Sequence, residues 1–249
     1  MNYLSKASIL LLILFTFSCT QKKETTIFLA GDSTMANKPF ATGNPERGWG
    51  QTFPLYLMDG IHVENHAVNG RSTKSFRDEG KWAKVLDNMQ TGDYVIIQFG
   101  HNDEKIKDST RYTNADTDYR QNLIRFVQET RQKGGIPVLA TSIVRRKFDE
   151  NGVFQESHGL YPQVVREVAE SEQVPLLDLQ HLTKELLINY GDDASKKLYL
   201  HINAGEYESL PEGRNDDTHL SASGAFRVCD LVKSEITKKI PELSVYFKK

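Results

Sequence analysis

The sequence predicts an α/β fold, a five-stranded parallel sheet sandwiched between layers of helices. Short β-branched apolar runs recur along the chain, each continuous enough to be a strand buried on both faces. Amphipathic helical stretches lie between them. The connections are short, as repeated strand–helix units require. With 249 residues, 39% hydrophobic and 26% charged, the chain suits one sizeable core, and residues 26–249 are expected to form one domain. A formal net charge of −2 and the lack of any basic run argue against a nucleic-acid partner.

Residues 1–19 are expected to lie outside the fold. Lys6 precedes Ala7 to Phe17, an apolar run too short for a stable membrane span, and Ser18-Cys19 leads into the polar tether 20–25. The stretch resembles a bacterial lipoprotein signal, whose cleavage would leave Cys19 as a lipidated first residue. The alternative is an ordinary export signal with an incidental cysteine. Either takes the chain out of the cytoplasm, and the first gives it a membrane contact through the lipid alone. The only other cysteine is Cys229, so the mature chain has no internal disulfide. Cys229 lies among Ala225, Val228, Leu231 and Val232 and is expected to act as a small apolar side chain.

The strand candidates are Thr25–Ala30, Ile61–Val68, Tyr94–Phe99, Ile136–Ser142 and Val174–Leu179. Of the helix candidates, Lys81–Met89 puts Trp82, Val85, Leu86 and Met89 on one face and ends before Gly92. Asp118–Lys133 carries Leu123, Ile124 and Val127 and stops at Gly134-Gly135. Tyr161–Ser171 has Pro162 in its first turn, where proline is favoured. Leu182–Tyr190 stops at Gly191, and Ser221 is placed to cap a last helix from Ala222 to about Lys238.

Three turns at the carboxyl ends of these strands carry chemistry, at the sheet edge where open α/β sheets bind ligands. Gly31-Asp32-Ser33 follows the first strand, Asn69-Gly70 the second and Gly100-His101-Asn102-Asp103 the third; Asp216-Asp217-Thr218-His219 comes near the C-terminus. A serine hydroxyl attacks well only when a base takes its proton, and a histidine titrating near ~6.5 can do so at neutral pH. His219 is the candidate base for Ser33. Asp216, three residues earlier, can reach the imidazole through one helical turn or a tight loop and fix its tautomer. Asp217 competes for that role but points away in such a turn, so Asp216 is preferred. The Ser33 N–H, the backbone at Gly70 and the Asn102 side chain are the candidate donors to an oxyanion. Asp103 reads as a local hydrogen-bond partner. No histidine, cysteine or aspartate spacing suggests a metal, and this chemistry needs no cofactor.

These blocks resemble the four blocks of the SGNH (GDSL-type) hydrolases, in their order and across essentially the whole mature chain. The resemblance implies a flavodoxin-like three-layer α/β/α sandwich, Ser33 as nucleophile, Ser33, Gly70 and Asn102 as the oxyanion hole, and Asp216 and His219 as the rest of the triad. More narrowly, Arg47-Gly48-Trp49-Gly50-Gln51, Asn65 to Phe76 and Tyr207 to Ser221 are similar to rhamnogalacturonan acetylesterases. That implies release of acetyl groups from an acetylated acidic polysaccharide. Arg47, Arg71 and Arg214 are the candidates for holding its carboxylates, and Trp49 for stacking on a sugar. Trp49 equally fits a core position, with Phe53 and Leu57 at helical spacing. The polar stretch Glu104–Asp118 is long for a connection and is placed to wall a cleft. Other SGNH esterase activities, on xylan or on lipid and aryl esters, share the four blocks. The alternative outside enzymes is a glycan-binding surface lipoprotein with a vestigial site.

Overall fold

Five strands form the expected parallel sheet. They are β1 (Thr26–Gly31), β2 (His62–Asn65), β3 (Tyr94–Gln98), β4 (Ile136–Ala140) and β5 (Leu176–Leu177), in the order β2-β1-β3-β4-β5. This is the flavodoxin-like order, and its winding reverses between β1 and β3, where such sheets open a crevice. The computed structural model describes residues 25–40 and 43–248; the expected signal segment, Cys19 included, lies outside the described residues.

The described α-helices are α1 (Trp49–Thr52), α2 (Thr73–Asp78), α3 (Lys81–Asn88), α4 (Arg120–Gln132), α5 (Tyr161–Ser171), α6 (Leu179–Tyr190), α7 (Asp192–Ser195), α8 (Ala222–Lys239) and α9 (Pro241–Ser244). Strand alternation sorts them into two layers. Ile27, Leu29 and Ile96 face a core shared with Trp49, Leu187, Val228 and Ile236, so α1, α6, α8 and α9 cover that side. Phe28, Ala30, Val95 and Ile97 face Phe76, Trp82, Phe126 and Val165 under α2–α5. Burial on both faces is why these strands read as continuous apolar runs.

Where element ends differ from expectation, a polar side chain explains most of the difference. The second strand's regular pairing ends at Asn65, whose Oδ1 accepts the N–H of Ala67, while His66 N and Val68 N still bond the carbonyls of Leu29 and Gly31 on β1. The fifth shrinks to two residues because Asp178 caps α6 and starts it three residues early. The fourth helix opens with a single π turn, Ala115–Tyr119, with the Asn114 side chain accepting from Asp116 N. Helix α2 was not anticipated; Ser72 and Ser75 form a reciprocal capping box that starts it. Ser221 caps α8 as expected, its Oγ accepting from Gly224 N at 3.1 Å.

A second, unanticipated sheet is the antiparallel hairpin of β6 (Tyr199–Ile202) and β7 (Arg214–Leu220). Tyr199 pairs with Leu220 while Leu200 pairs with Asp216, so residues 217–219 bulge out of the ladder.

The α2–α5 layer depends on one aromatic cluster. Phe126 is fully buried, with ring centroids 4.6 Å from Trp82 and 5.7 Å from Phe99. Phe126→Ala should therefore lower the free energy of unfolding by about 3–5 kcal/mol, measured by urea denaturation. A loss below ~1 kcal/mol would contradict this packing role.

Candidate active site

Strand β1 ends at Gly31, and Ser33 follows in a turn set by Asp32. The Asp32 Oδ1 accepts from Thr34 N at 2.9 Å and Thr34 Oγ1 at 2.8 Å, and Met35 N and Ala36 N both turn back to its carbonyl. The Asp32 Oδ2 lies 3.2 Å from His101 Nδ1, in the turn after β3. Gln98, at the end of β3, donates to Thr34 Oγ1 at 2.8 Å and accepts from Trp49 Nε1 at 2.9 Å. The nucleophile turn is thus fastened to β3 and α1 through buried polar groups.

The His101–Asp32 pair is fully buried, and its two groups take opposite forms. Burial opposes charge on Asp32, but His101 and the two Thr34 donors outweigh it and hold the carboxyl down at about 2. Burial likewise dominates at His101 and depresses it to about 4, against the pull of Asp32. Its Nε2 is buried without a partner, tolerable for a neutral ring's lone pair and costly for a charged N–H. His101 is accordingly a neutral imidazole donating from Nδ1 to an ionised Asp32.

The Asp216 and His219 side chains meet because of the β7 bulge. In a regular strand, positions three apart face opposite sides. Here the Asp216 Oδ1 takes Thr218 N at 2.8 Å and His219 N at 3.0 Å, and the tight turn returns His219 to the same side. His219 Nδ1 lies 2.8 Å from Asp216 Oδ2, and its Nε2 lies 3.0 Å from Ser33 Oγ. The Nδ1–H tautomer donates to the carboxylate and leaves Nε2 to accept from the hydroxyl. Asp216 is half-buried, which disfavours its charge, yet hydrogen bonds from the His219 ring and from His219 and Thr218 N–H hold its carboxyl well below the usual range. Asp217 points elsewhere, to Arg146 and His201.

Gly70 and Asn102, the candidate oxyanion donors, lie in the turns after β2 and β3. Gly70 has φ +76, a conformation that favours glycine. Asn102 gives one N–H to Arg71 O at 3.1 Å and keeps its second. Asp103 binds Thr73 N, Thr73 Oγ1 and Thr113 Oγ1. Thr73 N also reaches Oδ2 at 3.2 Å, but burial outweighs these donors and pushes the carboxyl up to about 7.

The residues expected to touch substrate fare differently. Trp49 is 0% exposed, with its indole N–H on Gln98, so stacking on a sugar is corrected to a core role. Arg214 donates to Asp216 Oδ2 at 2.6 Å and pairs with Glu46 at 3.6 Å; its guanidinium braces the carboxylate beside His219. Arg71 pairs with Glu79 and lines a cleft of about 720 Å³ with Asn69, Gly70, Lys74 and Arg111. Arg47 donates to the carbonyls of Asn44 and Glu46 and borders a second cavity of about 540 Å³ with Lys197 and His201. Cys229 stays a buried protonated thiol, pushed up to about 12 by burial.

Sequence reading missed Lys38. This nearly buried cation bridges Asn69 and Glu46, each at 2.6 Å, and Glu46 continues to Arg214 and Asp216. A lysine five residues after the nucleophile carries no local signal of such a partner set. Arg214 lies two residues before Asp216, on the same face of a strand, and would have been legible once β7 was recognised.

An open α/β sheet with hydroxyl, imidazole and carboxylate in hydrogen-bond sequence beyond its carboxyl edge defines a class of proteins able to transfer acyl groups. The chain belongs to the GDSL-like Lipase/Acylhydrolase family, the SGNH hydrolases, whose profile matches residues 29–225, and it is a carboxylic-ester hydrolase. It is 40% identical over 215 residues to the rhamnogalacturonan acetylesterase RhgT of Bacillus subtilis, covering 86% of this chain and 90% of that one. It is 34% identical over 210 residues to the probable rhamnogalacturonan acetylesterase YesY of the same organism, covering 84% and 91%. Among solved structures, protein YxiM of Bacillus subtilis superposes with a TM-score of 0.71 at 25% identity, covering 87% of this chain; the chain spans 57% of that protein's length.

The buried His101 makes a signed pH prediction. The unfolded chain takes up a proton near His101's ordinary value of 6.5, and the folded chain refuses it until about 4. Stability therefore falls as pH falls through that window. The stability advantage of wild type over His101→Gln should shrink between pH 7 and pH 4, by on the order of 1–3 kcal/mol. Parallel unfolding curves across that range would contradict a neutral buried imidazole.

Proposed function

We propose that this protein removes O-acetyl groups from rhamnogalacturonan through an acetyl-Ser33 intermediate. The observation that carries the reading is the 3.0 Å contact of Ser33 Oγ with His219 Nε2, in a chain 40% identical to a rhamnogalacturonan acetylesterase. Ser33 Oγ attacks the acetyl carbonyl carbon while His219 Nε2 takes its proton. Asp216 holds Nδ1–H and stabilises the imidazolium. The carbonyl oxygen, now anionic, is received by the Ser33 and Gly70 N–H groups and the second N–H of Asn102. Collapse of the tetrahedral species returns the proton from His219 to the departing sugar oxygen. Water then attacks the acetyl ester by the same route in reverse, and acetate leaves.

The polymer is acidic, and Arg71 and Arg47 stand at the two cavities, where carboxylates of neighbouring sugar residues can meet them. We read residues 1–19 as a lipoprotein-type signal, with Cys19 as the anchor of an exported enzyme.

Ser33→Ala should reduce acetate release from acetylated rhamnogalacturonan at least about 10³-fold, and Asp216→Asn by about 10³–10⁴-fold. Acetylated xylan and small aryl acetates are run alongside. Release from xylan alone would remove the pectic assignment and keep the serine mechanism. Full release by a folded Ser33→Ala protein would remove the mechanism itself, and no release by wild type from any ester would favour a binding protein. For export, Cys19→Ala should move the protein from the membrane fraction to the soluble fraction; an unchanged distribution would exclude lipid anchoring.

A further inference from the structure

The loop Glu104–Asp118 was expected to wall a cleft, and it brings in a residue that the mechanism above does not use. Arg111 Nη1 lies 3.4 Å from Asn102 Oδ1. The same nitrogen stands 3.5 Å from where a Cβ on Gly70 would project. One guanidinium nitrogen is therefore beside both residues proposed to complete the oxyanion site.

The guanidinium is itself held in place. Arg111 Nε donates to Asp108 Oδ2 at 2.6 Å, and Nη2 pairs with the same oxygen at 2.5 Å. The other Asp108 oxygen takes Thr110 N at 3.1 Å and Thr110 Oγ1 at 2.6 Å, so the carboxylate cannot swing away without breaking both. The Asp108 carbonyl accepts from Arg111 N and Tyr112 N, closing the turn. The loop is tied back beside Asn102 through Thr113, whose N–H and hydroxyl bond Asp103, and Tyr161 Oη donates to Thr113 O at 2.6 Å. The long polar stretch is a rigid bracket.

We propose that Arg111 is a positioning residue for the oxyanion site. It fixes which way the Asn102 amide faces and sets a positive charge beside Gly70. An amide can bind with either end forward, and only the NH₂ end can donate to an oxyanion. A donor on Oδ1 selects that orientation, because the reversed amide would present NH₂ to a cation that has no acceptor. The Arg71 carbonyl on Nδ2 selects the same orientation from the other side. The guanidinium charge also favours the transition state, in which the carbonyl oxygen gains negative charge, over the neutral bound ester.

This inference rests on the reading of Asn102 and Gly70 as oxyanion donors, and the test separates the two. Hydrolysis of 4-nitrophenyl acetate, a neutral small ester with no carboxylate for Arg111 to bind, is measured for wild type, Ser33→Ala, Asn102→Ala, Arg111→Met, Arg111→Lys and Arg111→Met with Asn102→Ala. Arg111→Met should lower kcat about 10–100-fold with KM within about twofold, less than the ~10²–10³-fold of deleting a donor outright. Arg111→Lys, which keeps the charge and loses the fork, should fall between wild type and Arg111→Met and guards against misfolding of the latter. In the Asn102→Ala background, Arg111→Met should cost several-fold less than in wild type, since there is then no amide to orient and only the charge beside Gly70 is lost. The inference is overturned by a wild-type kcat in both Arg111 variants, by equal losses from Arg111→Met with and without Asn102, or by a defect confined to KM. Full activity in Ser33→Ala or Asn102→Ala would overturn the underlying site reading instead.

Discussion

An ionised carboxylate with no access to water stands just past the end of β1, and the arrangement of the site follows from keeping it satisfied. Asp32 is fully buried, where a lone charge would be strongly unfavourable. It is held by the N–H and hydroxyl of Thr34 within its own turn and by His101 from the next strand's turn. Each partner is constrained in turn: Thr34 by Gln98, Gln98 by Trp49, and His101 by the wall of His158 at 4.6 Å. The Ser33 backbone lies between two residues that cannot move without unpairing a buried group. This rigidity is what an attacking hydroxyl requires, since small misplacements of reacting atoms are costly in rate.

Three carboxylates near the site differ through their partners as much as through depth. Asp32 has donors on both oxygens and is held at about 2 despite complete burial. Asp103 is equally buried; Thr73 N is shared between its two oxygens and the Thr73 and Thr113 hydroxyls bond Oδ1, yet desolvation outweighs them and, with the nearby Asp32 charge, raises it to about 7. Asp216 is less buried and receives two backbone N–H groups, the His219 ring and the Arg214 guanidinium, so its charge is the best supported. The carboxylate placed to steady an imidazolium is the one whose ionised form the fold favours most.

The sheet and its motifs were legible because their signals are local. A strand buried on both faces must be apolar throughout, so β1, β3 and β4 stood out as runs, and a turn at the carboxyl end of each is where ligands meet such sheets. Helix α5 was legible to the residue, since Pro162 marks its start. Trp49 was ambiguous for a physical reason: an aromatic at helical spacing beside Phe53 fits a core and a sugar platform alike, and only the position of Gln98 across the sheet decides between them. Lys38 and Arg111 had no legible role, because their partners lie 31 and 9 residues away and are reached only after the loops fold.

The β6–β7 hairpin was hidden for a different reason. Its outer strand reads Arg-Asn-Asp-Asp-Thr-His-Leu, polar at six of seven positions, with none of the alternation that marks a half-buried strand. What makes it a strand is pairing with Tyr199–Ile202, and what makes it useful is the break in that pairing. A straight strand would send Asp216 and His219 to opposite faces, and a helical turn would bring them together without the ladder that anchors Asp216 to Leu200. The bulge does both: Leu200 and Tyr199 hold its two ends in register, and the Asp216 side chain closes the residues between by taking their N–H groups. The same carboxylate therefore shapes the turn with one oxygen and orients the imidazole with the other, so an asparagine there, able to cap the turn through its carbonyl, separates the structural role from the electrostatic one.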